Sequence, residues 1–517
     1  MRWWRTAART VAPAGAGLAL LLSGGVARGA GVPTIYDNYQ NFPIGSRAAG
    51  MGGAYTALSC DEAALQYNPA ALACAEQSRL ELAANAYIIQ ALYIPDALGP
   101  GEDADALTYH SVPSIVGGVR LFLDGDPQTH DGRLAFGLSV AVPHSLALKG
   151  DPANPDKPNY FSFSVRDDIT TADVGLGYKI GRYVALGLSL GAVVRTAEGR
   201  TSFLLATDQA ISWPDLHCGN GQDGAPCWPY LSALNEWEEL AVGARAKLGL
   251  RVTPTPELSF GLAVTSPTLD VYGTAEAASN TSIATVWAYP EGSQQFWPVF
   301  FSVPRRLSGA SNVGFPLRVA LGGAYSTASF TVSLDLSANY YVQPVYVAYD
   351  LEEQQIQGIP PLTKQDLRAS ELVLTRDFQP NANLGVEFAV AEMVAIDVGA
   401  FTDISAVSEL DVQEQDQDRI HMFGGSVALG LLGKQTRGWF GASFEIGMAD
   451  VKVATGDYNF ETFLEQGLGI PFDGWATATR WTLAGVIGSN YSFLPEPKAE
   501  PPADKPPAKP APAGAQK

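Results

Sequence analysis

Ser329-Phe330-Thr331-Val332-Ser333-Leu334-Asp335-Leu336-Ser337-Ala338-Asn339-Tyr340 alternates without a break. Its odd positions are all polar, and its even positions are Phe, Val, Leu, Leu, Ala and Tyr. Successive side chains of an extended strand point to opposite faces, so this run has one wet face and one greasy face. Met393–Thr402 repeats the pattern, with Val394, Ile396, Val398 and Ala400 on one side and Asp397 on the other. Fourteen such stretches lie near 79–89, 112–122, 133–143, 171–180, 183–195, 240–252, 257–267, 316–326, 328–342, 382–390, 392–402, 420–432, 437–449 and 480–493. A soluble β-sandwich would have to cover all those apolar faces, and the chain has no helical layer to do so. A propeller would show a blade repeat of about 40 residues, which is absent. The pattern predicts an all-β chain: a 14-stranded antiparallel transmembrane β-barrel whose wet lumen is lined by small and charged side chains.

The spacing of the strands sets the topology. Lys179–Tyr183, Thr253–Glu257, Ser326–Ser329, Ala389–Met393 and Leu432–Gly438 are tight connections. Pro143–Thr171, Arg195–Leu240, Ser266–Pro316, Val342–Asn383 and Asp403–Ile420 are long ones. Bacterial barrels place short turns in the periplasm and long loops outside, and an even strand count leaves both termini periplasmic. Trp481, Leu483, Ile487, Tyr491 and Phe493 share one face of the last strand, as an aromatic girdle requires. A last strand ending in Tyr-Ser-Phe looks like the signal read by barrel-assembly machinery, although Leu494–Lys517 follows it. That tail is rich in Pro, Ala and Lys and reads as an extended periplasmic linker, either a plain end or a tether.

Residues 1–29 read as a secretory signal peptide. Arg2, Arg5 and Arg9 precede an apolar stretch, Val11–Val26, and cleavage after Gly29 or Ala27 follows small residues. The mature region has no run of about twenty apolar residues, hence no transmembrane helix. Of the 517 residues 53 are Gly and only 17% are charged, which is lean for a large soluble protein. The net charge of −20 opposes nucleic-acid binding, which needs a basic face. At an outer-membrane surface, acidic loops can bind divalent ions that bridge anionic lipid headgroups.

Cys60 and Cys74 flank one segment, and Cys218 and Cys227 another, so sequential disulfides are the simplest pairing in an oxidising compartment. Metal binding is the rival reading. Of the five histidines only His217 lies beside a cysteine, and no metal site is expected. Nothing supports catalysis: no Ser, His and carboxylate stand in a recognisable constellation. Glu409–Asp418 lacks the glycine of a calcium loop. No cofactor is expected.

Two other features bear on binding. The loop 195–240 carries Phe203, Leu205 and Trp213; the loop 266–316 carries Trp287, Phe296, Trp297 and Phe300. So many large apolar groups in water must pack on each other or bind something. Alternation also points Asp173, Asp335, Glu387, Asp397, Glu445, Arg245, Lys247, Arg251 and Arg318 inward. These charges should pair across the lumen or sit in water. Arg245, Lys247 and Arg318 are the candidate partners of a substrate carboxylate.

Between signal and first strand lies 30–78, too long for a lead-in. Its centre reads Gly45-Ser46-Arg47-Ala48-Ala49-Gly50-Met51-Gly52-Gly53-Ala54-Tyr55, then Asp61-Glu62-Ala63-Ala64-Leu65-Gln66-Tyr67-Asn68-Pro69-Ala70-Ala71-Leu72. Taken alone it is a compact irregular segment: a plug, a cap or a folded arm. The Gly-rich stretch, the acidic pair and Asn68-Pro69-Ala70 directly before the first strand resemble the FadL/TodX family of outer-membrane transporters for long-chain fatty acids and hydrocarbons. Looser echoes occur in Phe260–Pro267, Pro316–Tyr325 and Asn383–Asp403.

The resemblance implies a monomeric barrel (79–493) holding an N-terminal hatch (30–78). Hydrophobic small molecules would enter near the long loops, reach a lumenal pocket and leave sideways through a kink in the third strand. Asn68, Pro69 and Ala70 then belong to the hatch. Arg133–Pro143 would be the third strand; it holds Gly137 but no internal proline or bulge pattern. Cys60 and Cys74 depart from the usual pattern and would staple the hatch. The other function open at this point is a secretion or assembly partner similar to the type IX shuttle component, whose barrels share the N-terminal pattern.

Overall fold

A computed structural model describes residues 43–61, 63–74, 78–97, 103–120, 133–150, 160–206, 230–288, 297–351, 371–391, 393–414, 418–433, 435–453 and 474–493. The signal peptide, the tail, Trp213, Phe296, Cys218 and Cys227 lie outside the described residues.

Strand segments follow one another with almost no helix between them. They are β1 (Ser78–Ile94), β2 (Ala104–Arg120), β3 (Leu134–Gly150), β4 (Tyr160–Ile180), β5 (Val184–Ala206) and β6 (Tyr230–Val252). Next come β7 (Leu258–Thr265), β8 (Leu269–Ala288), β9 (Trp297–Ser311), β10 (Leu317–Ser326), β11 (Phe330–Tyr340) and β12 (Val345–Leu351). The last six are β13 (Glu371–Leu374), β14 (Gln379–Ala391), β15 (Val394–Asp403), β16 (Met422–Leu432), β17 (Thr436–Val453) and β18 (Gly474–Phe493). All belong to one antiparallel sheet, and β1 pairs with β18 from Ser78↔Phe493 to Tyr93↔Thr479, which closes it into a barrel. The five tight connections fall where their lengths place them.

The sheet has eighteen segments where the sequence led us to expect fourteen strands. The surplus lies in stretches read as loops. β7 and β8 pair with successive stretches of β6, while β9 and β10 pair with β8 and β7. β12 likewise continues the pairing of β11, and β13 that of β14. Strands thus extend far beyond the regions of clean alternation, and β5 and β6 reach 23 residues each.

Burial inverts the order of a soluble protein. On β11, Thr331, Ser333, Asp335, Ser337 and Asn339 are buried while Leu334, Leu336 and Tyr340 are exposed. On β5 the outward side chains are apolar from Val184 through Leu186, Leu188 and Leu190 to Val194, then become Thr196, Glu198 and Arg200. At ~3.3 Å per residue and a tilt of ~40°, Val184 to Val194 spans about 25 Å of barrel height. That matches the ~25 Å apolar band of outer-membrane barrels. Each exposed Leu left in water would forgo about 1.5–3 kcal/mol, so the belt needs an apolar surrounding. Above it Arg200 pairs with Glu236 across the ladder, both exposed, as expected of a strand extension standing in water. No described helix is long and apolar enough to cross a membrane.

The described residues before β1, 43–61 and 63–74, lie inside the ring. They contain α1 (Ser46–Gly50), α2 (Ala64–Tyr67) and a 3-10 turn (Pro69–Cys74). Ala48, Met51, Tyr55, Leu65 and Leu72 are buried, and the segment bonds to the inward side chains of strands around the barrel. Cys60 and Cys74 form a disulfide with Cα atoms 5.3 Å apart.

Candidate functional site

The inner segment is held by the charges that alternation pointed inward. Arg47 donates two hydrogen bonds, from Nε and Nη2, to the Glu387 carboxylate at 2.8 Å each. Asp335 accepts the backbone N–H groups of Tyr55 and Thr56 at 2.8 and 2.7 Å. Gln66 Nε2 donates to Asp173 Oδ2 at 2.8 Å, and Arg245 Nη2 donates to Gln66 Oε1 at 3.2 Å and Asp173 Oδ2 at 3.0 Å. Lys247 Nζ donates to the carbonyls of Leu65, at 2.8 Å, and Gln66. On the opposite wall Asn383 Nδ2 donates to the Gly52 carbonyl at 2.6 Å, and Ser426 Oγ to that of Gly50 at 2.9 Å. Irregular backbone inside a barrel has few ladder partners of its own, and these wall side chains satisfy it.

Asn68 joins segment to wall. It is fully buried; its Nδ2 donates to the carbonyls of Thr56 at 3.1 Å and Leu250 at 3.0 Å, and its Oδ1 accepts Ala70 N–H at 3.1 Å. Pro69 and Ala70 lie on a row of glycines that the register places side by side, Gly177↔Gly187 and Gly187↔Gly249. A Cβ on Gly187 would stand 2.1 Å from Ala70 N and 2.2 Å from the Pro69 carbonyl carbon; one on Gly249 would stand 2.2 Å from Asn68 Oδ1. Only a wall without side chains lets backbone approach backbone so closely. Sequence reading missed this row: each glycine is unremarkable alone, and only the register brings them together.

Of the three cations offered to a substrate carboxylate, Arg245 and Lys247 are buried and bond to the inner segment. Arg318 is half-buried on β10, opposite Thr265 and Asn339. The loop aromatics need a correction of place. Phe203 and Leu205 lie on β5, Trp287 on β8, and Trp297 and Phe300 on β9, because the strands continue through the stretches read as loops. A buried ion cluster also escaped sequence reading: Arg195 bonds Asp167 at 3.2 Å and Glu239 at 3.0 Å, tying β4, β5 and β6 together.

The third strand also differs from expectation. β3 does not end at Pro143 but continues to Gly150, and its register with β4 shifts between Ala141 and His144. Proline removes a ladder donor and is tolerated at such a bulge. On the other side β2 pairs with β3 from Ile115↔Ala141 to Arg120↔Phe136 and again only at Ala106↔Gly150. Between these points, 107–114 and 142–149, no backbone ladder joins the two strands. Side chains bridge the seam instead. Gln90 of β1 is fully buried; its Nε2 donates to the Ser145 carbonyl at 3.3 Å and its Oε1 accepts Ala147 N–H at 2.9 Å. Thr108 Oγ1 accepts Lys149 N–H at 2.9 Å, and Ser145 Oγ contacts His110 Nε2 at 3.1 Å while donating to Asp168 at 2.6 Å. The barrel thus holds residues 43–74 in its lumen and, among the described residues, has a stretch of wall between β2 and β3 closed by side chains alone.

No family model matches the sequence, and no curated protein matches it. Solved structures do match in fold. A TodX monoaromatic hydrocarbon channel, the deltaS2 mutant, aligns with TM-score 0.58 at 15% identity, covering 89% of this chain and 100% of that one. A Pseudomonas aeruginosa FadL homologue aligns with TM-score 0.54 at 13% identity, covering 88% and 100%. The P. putida toluene transporter TodX aligns with TM-score 0.54 at 15% identity, covering 89% and 100%. The fold is that of the FadL/TodX-like channels.

Proposed function

We propose that this chain, with its FadL/TodX-like fold, sits in the outer membrane of a Gram-negative bacterium and takes up hydrophobic compounds, fatty acids or hydrocarbons, through a hatch-gated barrel. In this reading the eighteen segments cross the membrane as fourteen strands, because four pairs of segments each continue one path along the same neighbours. Residues 43–74 are the hatch, with Asn68, Pro69 and Ala70 as its anchor on the glycine row.

The observation that carries the proposal is the seam between β2 and β3. A plugged barrel with a continuous wall would pass nothing, and a water-filled one would pass solutes of every kind. Here residues 43–74 occupy the lumen, while between β2 and β3 the wall lacks a backbone ladder over 107–114 and 142–149. In this reading an apolar solute would leave sideways through that opening. Breaking side-chain bonds costs about 0.5–1.5 kcal/mol each, far less than parting a ladder. The aromatic residues on the extensions of β5, β8 and β9 would supply the entrance.

The test is uptake of labelled oleate and labelled toluene by a deletion strain, with complementation. The reading expects uptake of at least one to fall and to return with the gene. Unchanged uptake of both, with the protein recovered in a stable complex with other proteins, would favour the secretion or assembly role.

A further inference from the structure

Although the protein carries 53 acidic against 33 basic residues, one cavity at its short-turn end reverses that balance. The cavity has a volume of about 580 Å³ and lies between the hatch and the tight turns after β4, β6 and β16. Its wall includes five cations: Arg47, Lys179, Arg182, Arg251 and Arg437. Among the described residues Asp61 is its one acidic residue, and that carboxylate already accepts bonds from Tyr55 Oη at 2.5 Å and Ala63 N–H at 3.1 Å. Arg47 is matched by Glu387, and Arg251 Nε donates to the Ala57 carbonyl, which leaves its positive charge unbalanced. Lys179 and Arg182 are exposed and make no ion pair among the described residues. Like charges gathered this closely repel, and a chain this acidic has ample carboxylates with which to neutralise them. Their concentration around a concave surface focuses potential on one spot.

We propose that this cavity binds an amphiphile carrying an oxyanion headgroup. Four of the five cations are guanidiniums, whose planar forks match the oxygens of phosphate and carboxylate. The net positive charge favours a multiply charged headgroup such as a phosphate monoester. The cavity is far larger than that headgroup and lies within the ~300–1,000 Å³ of small-molecule sites. Leu58, Tyr183 and Pro256 line the remainder and would cover the first carbons of a chain. The site lies at the short-turn mouth of the lumen, between residues 47–74 and the turns, and shares no residue with the seam. It rests on the transport reading only for the side of the membrane on which it opens.

The experiment is calorimetric titration of the full chain in non-ionic detergent with three probes: dihexanoyl-phosphatidate, dihexanoyl-phosphatidylcholine and inorganic phosphate. The phosphatidate should bind at least tenfold tighter than either of the others, and weaken as salt rises. Lys179→Glu combined with Arg182→Glu changes two exposed residues, one at the end of β4 and one in the turn after it, and should weaken phosphatidate at least tenfold, with an unaltered melting temperature. If that double variant unfolds, Lys179→Gln with Arg182→Gln should still lose threefold or more. Absent phosphatidate binding, equal binding of the zwitterion, or binding indifferent to these substitutions would overturn the proposal. Inorganic phosphate bound as tightly as phosphatidate would overturn the amphiphile and leave a site for the free ion. Because binding is read in detergent, its failure is separable from a failure of uptake in cells.

Discussion

Two stretches of the same wall are built differently. From Tyr160 to Val252, β4, β5 and β6 are laddered without a register shift, and Arg195, Asp167 and Glu239 add an ion cluster on the inner face. Between β2 and β3 the ladder opens over 107–114 and 142–149, and Gln90, Thr108, His110 and Ser145 hold the edges. The first stretch carries the glycine row on which Pro69 and Ala70 rest; the second has the bulge at Pro143. The contrast teaches that the unbroken ladder lies where residues 68–70 are anchored, and side-chain bonds where, in the proposed reading, the wall would part.

The comparison can be broken first at the ion cluster. Arg195→Ala leaves two buried carboxylates facing each other, a loss of about 3–5 kcal/mol. The melting temperature of the detergent-solubilised barrel should fall; an unchanged one would mean the cluster adds nothing to the stiff wall.

Next comes the disulfide. Closing a loop of about 15 residues is worth about 3 kcal/mol to the folded state, and Cys60 and Cys74 are separated by 14. Cys60→Ser with Cys74→Ser should make 60–74 exchange its amide hydrogens faster while β4 to β6 stay protected. Loss of protection in those strands as well would show that hatch and stiff wall form one cooperative unit.

The glycine row comes third. Gly187→Ala forces Pro69 and Ala70 off the wall, an overpacking cost of about 1–3 kcal/mol. Conductance in planar bilayers should rise while the barrel still forms, and a silent channel would reduce the row to ordinary packing. Asn68→Ala acts in the same direction, removing three bonds at a cost of about 1–3 kcal/mol. It too should leak, or transport poorly, with normal insertion.

The seam gives the most local change. Gln90→Ala strips the Ser145 carbonyl and the Ala147 N–H of their partner, again about 1–3 kcal/mol but confined to β3. Exchange at Ala147 should accelerate tenfold or more, with 163–177 of β4 unmoved. If both respond alike, the seam is no weaker than the rest of the wall.

How much of this was legible beforehand depends on what the solvent does to each residue. The runs 183–195 and 328–342 were readable because lipid on one side and polar groups on the other enforce a period of two. β8 was not, since Thr274, Glu276 and Asn280 alternate with Ala275, Ala277 and Ser279, small or polar on both faces and without contrast. Pro143 looked like the end of a strand because proline usually is one; the bulge beside it is a feature of register, not of sequence. Asn68-Pro69-Ala70 drew notice as a motif, yet the Leu250 carbonyl and Gly187 that receive it lie far along the chain. The inward charges were identified, but whether Lys247 would meet a ligand or the hatch depended on where the hatch lay.

Ring closure by β1 and β18 couples two halves of the chain. Gly50 is bonded to β16, late in the chain, and Pro69 lies on β5, early in it. A segment gripped from both halves makes its full set of bonds only when the circle is complete. It acts as a spoke, and the rim and the spoke steady each other.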